Sequence, residues 1–237
     1  MKDVIKSALP EAVRWSLRRR LGQLRSLGKP KIFGIGNNKT GTTSLKVAMK
    51  DLGYLVGSQR HAENLLSEWS KRDFKKIVEY CRSAEFFQDI PFSKPYTFVA
   101  LDYEFPKSKF ILTVRDSPEQ WYNSLVSFHS KIWGKDGRVP TKEDLQNATY
   151  IYKGQPWEAN RMTSTTPEDD IYNKEILLNK YISYNESVIE YFRHRPNDLL
   201  VLNVSEKDAY KKLCDFIGKE TTRRDFPWEN KTKEVSK

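Results

Sequence analysis

The chain has 237 residues, of which 38% are hydrophobic and 30% are charged, and its formal net charge is +10. This length and composition suit one large globular domain or two small ones, and they exclude a largely disordered chain. Two distant cysteines, Cys81 and Cys214, and three histidines show no spacing typical of a disulfide framework, a zinc site or a redox motif.

Residues 1–29 form a basic segment with an amphipathic pattern. Within residues 11–27, apolar side chains recur at helical spacing among arginines. These apolar residues are Val13, Leu17, Leu21 and Leu24. Such a helix suits an anionic membrane surface or a docking site on the domain or a partner chain, and we prefer docking. No apolar run approaches roughly 20 residues and no signal-peptide pattern is present, so we expect a cytoplasmic protein, with membrane association as the alternative.

Residues 30–237 alternate between short apolar runs and helical patterns. The predicted strands are residues 31–35, 54–56, 85–88, 109–114 and 199–203. The predicted helices are residues 42–52, 61–82 with a break near Ser70, 95–104, 117–132, 170–193 and 206–217. Segment 133–169 is weakly periodic, and it is either an insertion that shapes a binding pocket or a mobile loop. The alternation predicts a single three-layer α/β domain, with a central parallel sheet flanked by helices.

A loop rich in glycine and hydroxyl side chains follows the first predicted strand. Residues 36–44 have the sequence Gly-Asn-Asn-Lys-Thr-Gly-Thr-Thr-Ser. Backbone N–H groups at a helix start favour an anion, glycines let the anion approach, and Lys39 adds a full positive charge. The loop therefore predicts a site for phosphate or sulfate, in agreement with a basic chain that favours anionic partners. The basic charge alone also fits a solvated surface without a partner.

Two familiar nucleotide-binding loops do not fit this sequence. The Walker pattern places lysine directly after its second glycine, but Thr42 follows Gly41 here. The dinucleotide pattern G-x-G-x-x-G requires a third glycine at the position that Lys39 occupies. The lysine of this chain therefore lies inside the loop, close to any bound anion.

This arrangement resembles the loop of sulfotransferases that use 3′-phosphoadenosine 5′-phosphosulfate (PAPS). It is most similar to bacterial-type members with the pattern G-x-x-K-T-G-T-T-S-L, which corresponds here to residues 36–45. The resemblance implies a P-loop-type fold in which the loop holds the 5′-phosphosulfate and Lys39 stabilises the transferred group. The binding residues that it implies are Lys39, Thr40, Gly41, Thr42, Thr43 and Ser44.

In the same family, an arginine at a strand end and a serine on the next helix hold the 3′-phosphate. The corresponding residues are Arg115 and Ser124, one position further apart than in many members, which implies an inserted residue such as Ser117. The alternative is a surface salt bridge for Arg115 and an ordinary helix position for Ser124. Three basic residues of the tail are further candidates for the 3′-phosphate, namely Arg223, Arg224 and Lys231.

Cytosolic family members carry a His-Leu-Pro segment whose histidine is the general base. The corresponding segment here is Asp89-Ile90-Pro91. A carboxylate within hydrogen-bond reach accepts a hydroxyl proton, so Asp89 is the candidate base. A helix N-cap and an orienting group for Lys39 are equally open alternatives for Asp89.

The resemblance implies transfer of a sulfuryl group from PAPS, as co-substrate and without a metal, to a hydroxyl or amine. It implies a small-molecule, glycan or lipid acceptor and no nucleic-acid partner. Five residues of segment 133–169 are expected to line the acceptor site: Trp133, Tyr150, Tyr152, Trp157 and Arg161. The alternatives are a P-loop kinase or NTPase, a nucleic-acid-binding module that uses the basic charge, and a non-catalytic nucleotide-binding relative.

Overall fold

The computed structural model describes residues 10–221, 223 and 225–227. Within them, four parallel strands form one sheet: β1 (Ile32–Gly34), β2 (Phe86–Gln88), β3 (Lys109–Thr113) and β4 (Leu199–Leu202). Their order across the sheet is β2-β1-β3-β4. The chain extends from β1 to one side of the sheet and then crosses to the other, so the strand order reverses between β1 and β3. Ligands of such sheets bind at this reversal, beside the carboxyl ends of the strands.

Helices cover both faces of the sheet. Helical segments within residues 118–181 also pack around a hydrophobic cluster of their own, and we call this part the helical lobe. The helices are α1 (Glu11–Arg25), α2 (Thr42–Asp51), α3 (Gln59–Glu63), α4 (Leu66–Ser70), α5 (Lys75–Cys81), α6 (Thr97–Glu104), α7 (Pro118–Ile132), α8 (Lys142–Asn147), α9 (Gln155–Thr163), α10 (Lys174–Phe192) and α11 (Ala209–Ile217), with a short 3₁₀ helix at Lys135–Gly137. None of the helices described here is long and apolar enough to cross a bilayer.

Strands β1, β2 and β3 are buried on both faces because their side chains alternate between two cores, whereas the edge strand β4 is partly exposed. Phe33 and Phe110 point to one core, which they share with α5, α6 and α10. Ile32 and Ile111 point to the other core, which α2 and α11 close. A strand whose two faces are both covered needs a nearly continuous apolar sequence, as the sheet strands of this chain have. The predicted three-layer α/β fold is confirmed.

The structure refines several predicted boundaries. The pattern over residues 61–82 corresponds to three short helices, α3 to α5, and the chain turns at Arg72, whose φ of +60° ends the α-helical path. The break expected near Ser70 coincides with the end of α4. Residues 54–56 contribute a single bridge from Val56 to Phe86 in place of a strand. Segment 133–169 contains the 3₁₀ helix, α8 and α9.

The N-terminal helix α1 packs on the domain through one face. The Trp15 ring stacks on His61 with centroids 3.5 Å apart. Gly22 lies so close to the Ser83 carbonyl oxygen that a Cβ atom would approach it to 2.1 Å. The structure therefore has the docked arrangement that we preferred, but the predicted apolar stripe does not form the contact. Its side chains are exposed: Val13, Leu17, Leu21 and Leu24.

Candidate active site

The loop at residues 36–41 joins β1 to α2 and lies against the end of β3. Gly36 packs directly on Thr113, because a Cβ atom there would be 2.1 Å from Thr113 Oγ1 and 2.4 Å from its carbonyl oxygen. Gly41 precedes α2 with a φ of +96°, a conformation that glycine adopts without steric cost. Lys39 also has a positive φ, of 69°, so the loop has left-handed backbone at two nearby positions. These constraints direct the start of α2 toward the cavity.

Lys39 is held between β3 and α7. Its carbonyl oxygen accepts a hydrogen bond from Arg115 Nε at 2.6 Å, and its Nζ lies 3.6 Å from the centroid of the Phe128 ring. Burial, with a further contribution from the Arg115 charge, lowers the pKa of Lys39 to about 8. The neighbouring Asn38 carbonyl accepts from Trp121 Nε1 at 3.0 Å. The ammonium group is therefore fixed by α7 and is charged at neutral pH.

The predicted loop residues divide into two groups. Those that line the cavity are Lys39, Gly41, Thr42 and Thr43. Thr40 is fully buried, and its hydroxyl is bonded to the Asn37 carbonyl at 2.5 Å and to Thr113 Oγ1 at 2.6 Å. Ser44 is buried as well and does not line the cavity. In this structure the Thr40 hydroxyl therefore fastens the loop to β3.

Arg115 lies at the end of β3 and lines the same cavity as Lys39. Its backbone N–H donates to Tyr181 Oη at 3.1 Å, while its Nε is bonded to the loop. Ser124 is half-buried on α7 and does not line the cavity. In the tail, Arg223 pairs with Asp51 at 2.8 Å, away from the cavity. The predictions for Arg224 and Lys231 fall outside the described residues.

Asp89 follows β2, and its buried carboxyl group lines the cavity. Oδ1 accepts from the Ile90 N–H at 2.9 Å, and Oδ2 accepts from Thr42 Oγ1 at 3.4 Å and Gln59 Nε2 at 3.3 Å. Burial raises the pKa of Asp89, and the nearby Lys94 charge opposes this rise. A carboxylate with a raised pKa is a stronger base than an exposed one, so the environment suits proton transfer.

A polar network links Asp89 to a second buried acid that sequence reasoning missed. Gln59 Nε2 also donates to Glu63 Oε1 at 2.9 Å, and Gln59 Oε1 accepts from Gln88 Nε2 at 3.0 Å. Tyr150 Oη donates to the same Glu63 oxygen at 3.3 Å. Burial raises the pKa of Glu63. Glu63 and Gln88 therefore orient Gln59, and the oriented Gln59 holds the Oδ2 atom of Asp89.

The cavity has a volume of about 580 Å³ and extends from the loop into the helical lobe. The wall in this lobe is apolar and aromatic, and it comes from α7 to α10. It includes Leu125, Phe128, Ile132, Leu145, Ile171 and Leu177. Among the predicted acceptor residues, Trp133 and Tyr150 line the cavity. The others do not: Tyr152, Trp157 and Arg161.

The cavity carries an excess of positive charge. The basic residues that line it are Lys39, Lys46, Arg60, Lys94, Arg115 and Lys180, whereas the acids are Glu63 and Asp89. The half-buried His129 also lines it, and desolvation, with a smaller contribution from the Lys39 charge, lowers the pKa of this histidine to about 3, which keeps the ring neutral. Among the described residues, no group of His, Cys, Asp and Glu is arranged to hold a metal ion. Lysine, arginine and backbone N–H groups supply the positive charge for an anionic ligand.

A comparison with known families identifies the domain to which this site belongs. The sequence model for the family described as Sulfotransferase domain matches residues 31–235. The match includes the loop, Asp89 and Arg115, and it begins after α1. A comparison with curated proteins gave no match.

Proposed function

The chain belongs to the sulfotransferase domain family, and on this basis we propose that it transfers a sulfuryl group from PAPS to a hydroxyl or amine acceptor. One observation carries the proposal: Lys39, Asp89 and Arg115, which follow three different strands, line a single cavity. A donor with phosphate at both its 5′ and 3′ ends needs two separate cationic contacts, and Lys39 and Arg115 are suited to supply them.

In this proposal the loop and α2 hold the 5′-phosphosulfate. Lys39 and the N–H groups at the start of α2 stabilise the negative charge that develops as the sulfuryl group leaves the 5′-phosphate. Arg115 binds the 3′-phosphate in this proposal; its predicted partner Ser124 does not line the cavity, so the proposed contact rests on Arg115. Thr40 and Ser44 contribute by maintaining the loop, because their side chains are buried outside the cavity.

Asp89 is the proposed general base. The acceptor oxygen or nitrogen forms a bond to sulfur, and its proton passes to an Asp89 carboxylate oxygen. The bond between sulfur and the 5′-phosphate oxygen breaks, and 3′-phosphoadenosine 5′-phosphate leaves with the electron pair. Support for this role comes from the buried carboxylate, its raised pKa and the donors that orient it.

Calorimetry and sulfate transfer together test the proposed donor. We expect the protein to bind PAPS and 3′-phosphoadenosine 5′-phosphate without magnesium, and to bind ATP much more weakly because ATP lacks the 3′-phosphate. Labelled sulfate is expected to pass from PAPS to a hydroxyl-bearing acceptor. Tight magnesium-dependent ATP binding without sulfate transfer would instead support the kinase or NTPase alternative. Binding of PAPS with no transfer to any acceptor would support the non-catalytic alternative.

We also propose that α1 attaches the domain to anionic membranes. The apolar stripe of α1 is directed away from the domain, with Leu21 59% and Leu24 73% exposed. Arginines flank the stripe, and the exposed ones are Arg18, Arg20 and Arg25. An apolar stripe between guanidinium groups matches the interface of a bilayer with anionic headgroups. A second copy would bring like charges together, which argues against self-association through this surface.

Sedimentation with vesicles tests this attachment. We expect binding to vesicles of phosphatidylcholine with phosphatidylserine, and little binding to phosphatidylcholine alone. Leu21→Gln with Leu24→Gln is expected to abolish the binding without changing sulfate transfer to a water-soluble acceptor. Equal sedimentation of this variant and the wild type, or concentration-dependent dimerisation that the variant loses, would contradict the proposal.

A further inference from the structure

Lys94 is a buried lysine in the turn after β2, and it does not belong to the predicted donor site. Its residue exposure is 6%, and it lines the cavity. Within the described part of the chain, its ammonium group makes neither a hydrogen bond nor an ion pair; its electrostatic partner is Asp89. Burial lowers the pKa of Lys94 because it disfavours the charged form, and an anion bound beside this lysine would stabilise that form.

Lys180 on α10 is the second lysine at this end of the cavity. Its Nζ donates to the Thr163 carbonyl at the end of α9, and the side chain lines the cavity. Burial, with a smaller contribution from the Lys94 charge, lowers the pKa of Lys180 to about 7. A lysine ammonium has three donors, so the bond to Thr163 leaves Lys180 able to contact a ligand.

Both lysines line the same cavity as Asp89, and neither belongs to the loop at residues 36–44. Lys180 is on α10 and its Nζ contacts the end of α9, so its ammonium group lies in the part of the cavity that these two helices bound. Lys94 is in the turn that carries Asp89 out of β2. The two lysines therefore come from walls of the cavity other than the donor loop, and the apolar wall of the helical lobe belongs to the same cavity.

We propose that Lys94 and Lys180 form a subsite for a carboxylate of the acceptor. The acceptor would then be an amphiphilic acid, with its hydroxyl or amine at Asp89, its apolar body against the lobe and its carboxylate on the two lysines. This inference rests on the proposed sulfotransferase function. A single negative charge fits the site best, because the Asp89 carboxylate beside it would repel a dianion more strongly.

A pair of matched probes tests the subsite: 3-(4-hydroxyphenyl)propanoate and its primary amide. The two have the same phenol and nearly the same size, and they differ in charge. We expect calorimetry on the full chain, with 3′-phosphoadenosine 5′-phosphate present, to show the acid binding at least tenfold more tightly, which corresponds to about 1.4 kcal/mol. Equal affinities, or no binding of either probe, would overturn the proposal.

Substitutions assign the preference to the two lysines. Lys94→Met is expected to abolish the preference for the acid and to leave the affinity for the amide unchanged, and Lys180→Met to reduce the preference several-fold. The matched control is Lys71→Met, an exposed lysine outside the cavity, which should keep the full preference. Thermal unfolding verifies the fold, and Lys94→Gln replaces the methionine variant if that variant does not fold. A preference that survives in a folded Lys94 variant would refute the assignment.

The same probes separate this inference from the proposed function. Tighter binding of the acid with no sulfate transfer to either probe would reject the function and keep the carboxylate subsite. Equal binding and equal transfer to both probes would keep the function and reject the subsite. Lower KM for the acid with similar kcat for both probes is the result that supports both.

Discussion

Replacing Lys39 by methionine is expected to weaken catalysis while leaving the protein at least as stable as the wild type. Methionine has a similar length and is apolar, and it keeps the same backbone cost at a φ of +69°. Removal of one preorganised donor typically reduces the rate by about 10²–10³. We therefore expect sulfate transfer to fall by roughly this factor.

The stability change follows from the Lys39 pKa. At about 1.36 kcal/mol per pH unit, the fall from 10.5 to about 8 corresponds to roughly 3 kcal/mol, which we halve to ~1.5 kcal/mol because the side chain contacts solvent. Loss of the contact between Lys39 and the Phe128 ring offsets ~0.5 kcal/mol or more of this gain. The net gain of about 1 kcal/mol raises the Tm by about 2–4 °C for a chain of this size.

Two measurements check this prediction: transfer of labelled sulfate from PAPS, and thermal unfolding without ligand. Lys50→Met is the matched control, because Lys50 is exposed near the end of α2, the helix that follows the Lys39 loop, and does not line the cavity. It should keep both activity and Tm. Full activity in the Lys39 variant would refute the proposed role, and a Tm lowered by several degrees would refute the electrostatic reasoning.

Three further predictions concern the same cavity. Asp89→Asn should reduce transfer by about 10²–10⁴ while calorimetry still detects 3′-phosphoadenosine 5′-phosphate, and unchanged turnover would exclude Asp89 as the base. Gly36→Ala should unfold the loop or lower the Tm by many degrees, since the new Cβ would overlap the Thr113 backbone; a wild-type melting curve would contradict the packing. Affinity for 3′-phosphoadenosine 5′-phosphate should fall by up to about tenfold per pH unit above pH 8, because Lys39 loses its proton there in the protein without ligand. The ionisable groups that face Lys39 are Asp89, Arg115 and His129. Lys39→Met should remove this pH dependence, and an equal dependence in the variant would contradict it. Between pH 8 and 10.5 the unfolded chain binds more protons at Lys39 than the folded chain, so this lysine's contribution to stability should rise with pH across that window.

Much of the fold could be predicted because local pattern and tertiary burial agree. The apolar sequence of β3 suits a strand covered on both faces, and the apolar spacing of α7 suits a helix that packs on one side. The prediction was least accurate for residues 54–56 and 61–82. Their short apolar runs fit more than one arrangement, and the turn at Arg72 needs a positive φ that no glycine signals.

The residues of the candidate site also fall into two groups, those that the local sequence predicts and those that depend on tertiary packing. Lys39 and Arg115 could be predicted because each follows a strand directly, and adjacent parallel strands bring their carboxyl ends together. Lys94, Lys180 and Glu63 lie in a turn and on helices far apart in the sequence, and the packing of the helical lobe brings them to the cavity. Sequence spacing carries information about groups on one element or at strand ends, whereas an acceptor site built between helices depends on tertiary packing. The sequence therefore predicts the residues of the proposed donor half of this cavity, whereas the proposed acceptor half and its carboxylate subsite follow only from the three-dimensional structure.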